Sequence, residues 1–246
     1  MLDIVMPVYI KTVETKKSIR SILDCTESDF MLHVYVNKGS DQVREMVESF
    51  KNEKNIKITF LEDKPGKGRI INQFLRTIKV SDYVCALDDD VEVCQGWDTL
   101  LIEALKLFPE MGWVTCWRKE WPEEEFGNEM YGQNKALKPP LKQYFEKRGN
   151  ITLFSSPGSF QGLLTFTTPE KMAKINGWPE WAYGSIDTMF HMATKKAGFK
   201  TGFVVNLRCD HLEIEHSEEY DRYSDWKHSL PHLKTHEGRV VRKEGY

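Results

Sequence analysis

Leu87-Asp88-Asp89-Asp90-Val91 places three consecutive carboxylates directly after the apolar run from Tyr83 to Leu87. At neutral pH such neighbours repel one another by a few kcal/mol unless a cation lies between them. Mg²⁺ and Mn²⁺ supply that cation and also hold substrate phosphates. A solvated acidic turn would carry the same residues, so the spacing alone leaves both readings open. Pro65-Gly66-Lys67-Gly68-Arg69 opens a helical pattern with two cations, and helix N-termini favour anions. It lacks the ending of a P-loop and the three glycines of a dinucleotide fingerprint. A plain turn remains the alternative.

Asp187 falls in the first turn of a helix expected from Ser185 to Ala197. It can serve the helix dipole, or act as a general base aimed at a pocket. His191, one turn on, can orient that carboxylate or sit in the core, and the core is the better expectation. Six of the seven histidines follow residue 190. His211 directly follows a strand beside Asp210, a suitable place for a metal ligand. Tryptophans at 113–121 and 178–181 offer apolar faces for a sugar ring or for the core.

The elements needed to position these residues alternate through the first hundred positions. Leu2–Met6, Leu32–Val36, Ile56–Leu61 and Tyr83–Leu87 read as strands. Between them, helices are expected after Thr12 (read as a cap), after Asp41 and after Gly68. Repeats of this length predict an α/β fold with a mostly parallel central sheet flanked by helices. Ligands of such sheets bind at the carboxyl ends of the strands, where the three aspartates stand. A helix from Trp97 and a strand Trp113–Cys116 follow. Residues 118–161 lose periodicity and read as long loops over a pocket. Regular structure resumes with a strand Gly162–Thr167, a helix from Pro169 capped by Thr168, and a last strand Thr201–Asn206. Residues 1–98 and 99–216 are expected to form two halves of one domain, the second with a smaller region of its own, and 217–246 a C-terminal helix or tail. Tyr220, Tyr223 and Trp226 are spaced to dock one helix of that tail.

Composition narrows the function. The chain has 246 residues, 40% hydrophobic and 29% charged, which excludes disorder and fibrous classes. Its net charge of −3 argues against a protein built mainly to grip nucleic acid. The five scattered cysteines include no CxxC pair, so buried thiols in a reducing compartment are expected. The longest uncharged stretch, 149–169, is broken by Gly, Pro and Ser/Thr, so no membrane insertion is expected. Nor is there a basic leader, and a soluble, cytoplasmic protein is the expectation.

Five short motifs in order give the ensemble a likeness. Ile4-Val5-Met6-Pro7-Val8-Tyr9, Val36-Asn37-Lys38-Gly39-Ser40-Asp41, Gly66–Asn72, Leu87–Asp90, and Gly177-Trp178 with Gly184–Asp187 and Ala197-Gly198-Phe199-Lys200 resemble family 2 glycosyltransferases of the GT-A fold. The resemblance covers roughly residues 2–211. It implies a Rossmann-like GT-A sheet, a DXD motif at Asp88–Asp90, and a nucleotide-sugar donor, a UDP sugar being expected. Asn37-Lys38 replaces the family's usual aspartate pair, which leaves another base open. Ile186-Asp187 replaces its usual Glu-Asp, leaving one carboxylate, enough for a single base.

By that resemblance, Asp88, Asp90 and His211 hold Mn²⁺ or Mg²⁺. Pro7, Val8, Tyr9, Asn37, Gly66, Lys67, Arg69, Asp88 and Asp89 bind the nucleotide sugar. Gly162, Trp178, Trp181 and Gly184 line the acceptor or sugar pocket, and Asp187 takes the proton of an acceptor hydroxyl as the sugar inverts. The acceptor is a glycan, protein, small molecule or, with a basic groove from Lys135, Lys138, Lys142, Lys147 and Arg148, hydroxymethylated DNA of the kind some phage enzymes modify. Two rivals stand beside this reading. One is a sugar nucleotidyltransferase, which usually has a glycine-rich loop where Pro7-Val8-Tyr9 stands. The other is a non-catalytic, metal-dependent glycan-binding module, for which Asp187 is dispensable.

Overall fold

The computed structural model describes residues 1–63, 65–77, 81–119, 141–156, 163–180, 186–212, 234–236 and 239–241. The apolar runs form β1 (Leu2–Val8), β2 (Phe30–Asn37), β3 (Ile56–Leu61) and β4 (Tyr83–Leu87). Alternate side chains of these strands enter different cores. Leu2, Ile4 and Met6 pack with Ile19, Ile22, Val43, Val47, Trp97 and Leu101, whereas Val5, Val84 and Ala86 pack with Ile70, Phe74, Met172 and Phe190. Burial on both faces is why β1, β2 and β4 read as nearly continuous apolar runs, while β3, at the sheet edge, is buried only at Ile56.

The helices on those faces are α1 (Thr12–Cys25), α2 (Asp41–Glu48), α3 (Lys67–Thr77), α4 (Trp97–Leu107), α5 (Pro169–Ile175) and α6 (Ile186–Lys196). The remaining strands are β5 (Val91–Glu92), β6 (Met111–Arg118), β7 (Phe145–Arg148), β8 (Ile151–Ser155), β9 (Leu164–Thr167), β10 (Lys200–His211), β11 (Lys234–His236) and β12 (Arg239–Val241). The main sheet runs β3-β2-β1-β4-β9-β6-β10-β8-β7, with β5 paired to β10. β1 to β4 pair in parallel, β9 is antiparallel to both β4 and β6, and β10 is parallel to β6. The carboxyl ends of β1, β2, β4 and β10 therefore share one edge. α1 and α3 start at that edge because each follows a parallel strand. α6 runs back along β10, so its first turn lies there too.

Several local expectations change. Thr12 is the first helical residue, and the cap position is Lys11, whose side chain makes no capping hydrogen bond. Its ammonium is engaged elsewhere, as described below. Within 118–161, residues 145–155 are not loop but the hairpin β7–β8, too short to show a clear period. β9 starts at Leu164 rather than Gly162, which lies outside the described residues. β10 continues past Asn206 to His211, across a register shift between Val204 and Arg208 that hid the strand's alternation. In the tail, 234–236 and 239–241 pair as a small hairpin, and 220–226 lies outside the described residues. Thr168 does cap α5, accepting from the Lys171 N–H at 3.3 Å with Pro169 at the first position. Thr168→Ala is expected to cost about 1 kcal/mol in a denaturant titration.

No helix among the described residues is long and apolar enough to cross a membrane. Cys85, Cys116 and Cys209 are buried, Cys25 is half-buried and Cys94 exposed, all as free thiols.

Candidate active site

At the shared edge the three aspartates have separate partners. Asp88 pairs with Lys67 of α3. Asp89 and Asp90 share Lys11, whose Nζ lies 3.2 Å from Asp89 Oδ1 and 2.6 Å from Asp90 Oδ2. Thr15 donates to the other oxygen of Asp89 at 3.4 Å. Asp89, expected on the nucleotide sugar, is thus buried and committed to α1.

Burial alone would lower the pKa of both lysines, yet their neighbouring carboxylates outweigh it. Asp89 and Asp90 raise Lys11, and Asp88 and Asp187 raise Lys67. Both stay ammonium ions throughout the neutral range. Burial likewise favours neutral carboxyls, but His211 and Lys11 hold Asp90 well below the usual range. Asp89 moves the other way, because burial and its acidic neighbours exceed the help from Lys11.

His211 arrives from 121 positions away in sequence because β5 pairs antiparallel with the end of β10, setting His211 opposite Val91. The Leu212 N–H closes the corner on the Asp90 carbonyl at 2.8 Å. His211 Nε2 then lies 3.3 Å from Asp90 Oδ2. Two carboxylates and an imidazole suit Mn²⁺ or Mg²⁺ by donor type. Among the described residues no three such groups are gathered into a ready metal cage, since Lys67 and Lys11 hold the carboxylates. An entering cation competes with two lysines for the same oxygens. Lys11→Met, which strips Asp89 and Asp90 of that cation, is expected to cost about 2 kcal/mol in metal-free buffer. Added Mn²⁺ should restore part of it, read as thermal midpoint against Mn²⁺ concentration.

Trp178 and Asp187, expected on the acceptor side, lie near Lys67. Its ammonium is 5.2 Å from the centre of the Trp178 ring and feels the charge of Asp187. Trp178 is buried and stacks on Phe190 of α6 at 4.4 Å and 11°. It is a wall between two helices, not an open platform for a sugar. Trp181 and Gly184 lie outside the described residues, as do Trp121, Glu123–Phe126, Tyr131, Lys135, Lys138 and Pro139-Pro140.

His191 is buried and bonds Thr201 Oγ1 through Nδ1 at 2.8 Å, a core histidine. Burial, aided by Lys195, pushes its pKa down to about 4. The unfolded chain takes up this proton near pH 6.5, before the folded one does. Stability is therefore complete above about pH 6.5 and falls as pH drops toward 4. His191→Gln should flatten the thermal midpoint across that window.

Of the other expected donor contacts, Val8 is fully buried in the core, so only its backbone can reach the edge. Pro7 and Tyr9 are half-buried and Arg69 is exposed. Gly66 adopts φ +82° ahead of α3. Asn37 ends β2, buried, and its Oδ1 has no hydrogen-bond partner among the described residues. Arg148, expected in a basic groove, is occupied by Glu110 and Glu146 at 2.8 and 2.7 Å. A cavity of about 410 Å³ between α3 and α5, lined by Asn72, Arg76 and Met172 among others, includes none of the carboxylates. Sequence reasoning missed Lys11, Thr15 and the bonding of Asn72. A lysine just beyond the first strand's turn was the available signal for Lys11.

The model of the family described as glycosyl transferase family 2 matches residues 3–161. No curated protein sequence matches significantly. Among solved structures, a mannosyltransferase from Pyrobaculum calidifontis, described in complex with GDP-Man and Mn²⁺, superposes with a TM-score of 0.66 at 15% identity over 90% of this chain. GalNAc-T7, with UDP, GalNAc and Mn²⁺, gives 0.67 at 13% identity over 87%. TarS of S. aureus, residues 1–349 in complex with UDP-GlcNAc, gives 0.56 at 13% over 89%. The chain spans 59%, 44% and 60% of those three proteins. The sheet, the helices around it and the family match agree: this chain belongs to glycosyl transferase family 2 and has the GT-A fold.

Proposed function

We propose that the chain moves a sugar from a nucleotide-sugar donor, a UDP sugar being expected, to an acceptor hydroxyl with inversion at the anomeric carbon. The observation that carries this reading is the meeting of Asp90 and His211 at 3.3 Å beside the Lys67–Asp88 pair, with Asp187 close enough to bias Lys67. Asp88, Asp90 and His211 would hold Mn²⁺ or Mg²⁺, which when bound neutralises charge on the leaving diphosphate.

The chain's own residues account for the rest. Lys67 keeps its proton and offers a fixed positive charge where the diphosphate departs. The acceptor oxygen attacks C1 of the sugar, the C1–O bond to the diphosphate breaks, and that electron pair leaves on the phosphate oxygen. Asp187 accepts the acceptor's proton. Residues 1–98 serve the donor and 99–216 the acceptor. The family match removes the nucleotidyltransferase reading, and the occupied Arg148 gives no support to a DNA acceptor. Single-turnover transfer from UDP-, GDP- and dTDP-sugars to a panel of hydroxyl acceptors tests the proposal. A glycan-binding module would instead bind glycan without nucleotide and tolerate loss of Asp187.

A further inference from the structure

Asn72 lies on α3, five residues after Lys67, and is buried. Its side chain forms both hydrogen bonds that a neighbouring strand would form with Trp178. The Trp178 N–H donates to Asn72 Oδ1 at 2.8 Å, and Asn72 Nδ2 donates to the Trp178 carbonyl at 2.8 Å. The same Nδ2 reaches Glu180 Oε1 at 3.1 Å, which Arg76 also holds, at 3.0 Å. Glycines make the approach possible. Gly177 has φ +74°, and a Cβ there would sit 2.7 Å from Asn72 Oδ1. A Cβ on Gly68 would collide with the Pro179 carbonyl. The first turns of α3 and the segment 177–180 thus approach closely at Gly68 and Gly177 and are held together by the Asn72 side chain on the Trp178 backbone.

The ring held by this lock has one neighbour on each helix that bears charge for the reaction. Lys67 of α3 lies 5.2 Å from its centre, and Phe190 of α6 stacks on it at 4.4 Å. Phe190 is three residues after Asp187, one turn along the same face. Trp178 therefore sets the separation between the ammonium of α3 and the carboxylate of α6. Among the described residues its indole Nε1 has no hydrogen-bond partner, and the ring is held by stacking and by the Asn72 clamp on its backbone.

We infer that Asn72 and Trp178 are positioning residues: the Asn72 amide clamps Trp178, and Trp178 spaces Lys67 from Asp187 so that both meet the reacting sugar in register. The inference rests on the proposed roles of Lys67 and Asp187. A misplacement of about 1 Å at such a site can cost about 100-fold in rate.

The test uses Asn72→Ala, Trp178→Leu and Trp178→Phe, with hydrogen exchange and steady-state kinetics on the full chain. Asn72→Ala should speed exchange at 177–180 and in the first turn of α6. Both Asn72→Ala and Trp178→Leu should lower kcat about 100-fold, while the donor KM changes less than about threefold. Trp178→Phe, which keeps an aromatic wall, should restore kcat to within about tenfold of wild type. Should Trp178→Leu fail to fold, the Asn72→Ala and Trp178→Phe pair decides the matter. Full kcat in Asn72→Ala, or a loss expressed only in KM, overturns the positioning role while leaving the transferase reading intact. A wild-type chain that transfers no sugar overturns that reading, and the positioning role with it.

Discussion

Asp187→Asn is expected to cut sugar transfer about 100- to 10,000-fold while leaving donor affinity nearly unchanged. The substitution preserves volume and shape but removes the carboxylate proposed to take the acceptor's proton. Lys67 stays paired to Asp88, so the donor side keeps its charge. Transfer and donor binding must be measured separately, by product formation at saturating donor and by calorimetric titration. Turnover at the wild-type rate would move the base elsewhere. A loss confined to donor binding would make Asp187 a donor contact.

The second large effect concerns the frame. Asp3 of β1 accepts from His33 Nε2 at 2.8 Å and from the Ser81 N–H at 3.0 Å, and both side chains of the pair are only 3% exposed. Burial would raise the Asp3 carboxyl, but the His33 and Ser81 hydrogen bonds outweigh it and hold it below the usual carboxylate range. Asp3→Ala leaves His33 and the Ser81 N–H without their acceptor, at a cost of about 3–5 kcal/mol. That is a large share of the roughly 5–15 kcal/mol typical of whole domains. The pH dependence follows from the sign of the shift. With the folded pKa depressed, the stabilisation is present above about pH 3.9 and disappears as pH falls through the lower folded value. Acid unfolding of the wild type should therefore continue below pH 4, past the window set by His191. In Asp3→Ala that lower step should shrink, leaving the part contributed by Asp90.

The parts of this protein legible in sequence are those in which a local pattern and a global demand coincide. β1, β2 and β4 are buried on both faces, so each reads as a short apolar run, whereas the edge strand β3 is mostly exposed or half-buried; the helices between them keep a clear apolar face. Asp88–Asp90 and Asp187 were visible because carboxylates at strand and helix ends lie where such sheets bind ligands. His211 was identifiable as a strand-end histidine, but its contact with Asp90 depends on the two-residue β5, too short to leave a pattern. Lys11 was hidden for another reason. Its ammonium is used across the sheet edge by aspartates 78 and 79 positions away, and no spacing within α1 encodes that. For Trp178 the sequence leaves a sugar platform and a core position both open, because an irregular, aromatic segment fits either. Only the stacking on Phe190 and the Asn72 amide show that both its ring and its backbone are already occupied.

The most direct measurement is nucleoside-diphosphate release from UDP-, GDP- and dTDP-sugars in the presence of Mn²⁺, comparing the wild-type chain with Asp90→Ala. The proposed chemistry predicts slow release from one donor by the wild type, dependent on the cation and lost in Asp90→Ala. Equal release by the two proteins would contradict a metal held by Asp90 and His211. Neither release nor donor binding by the wild type would contradict nucleotide-sugar transfer itself.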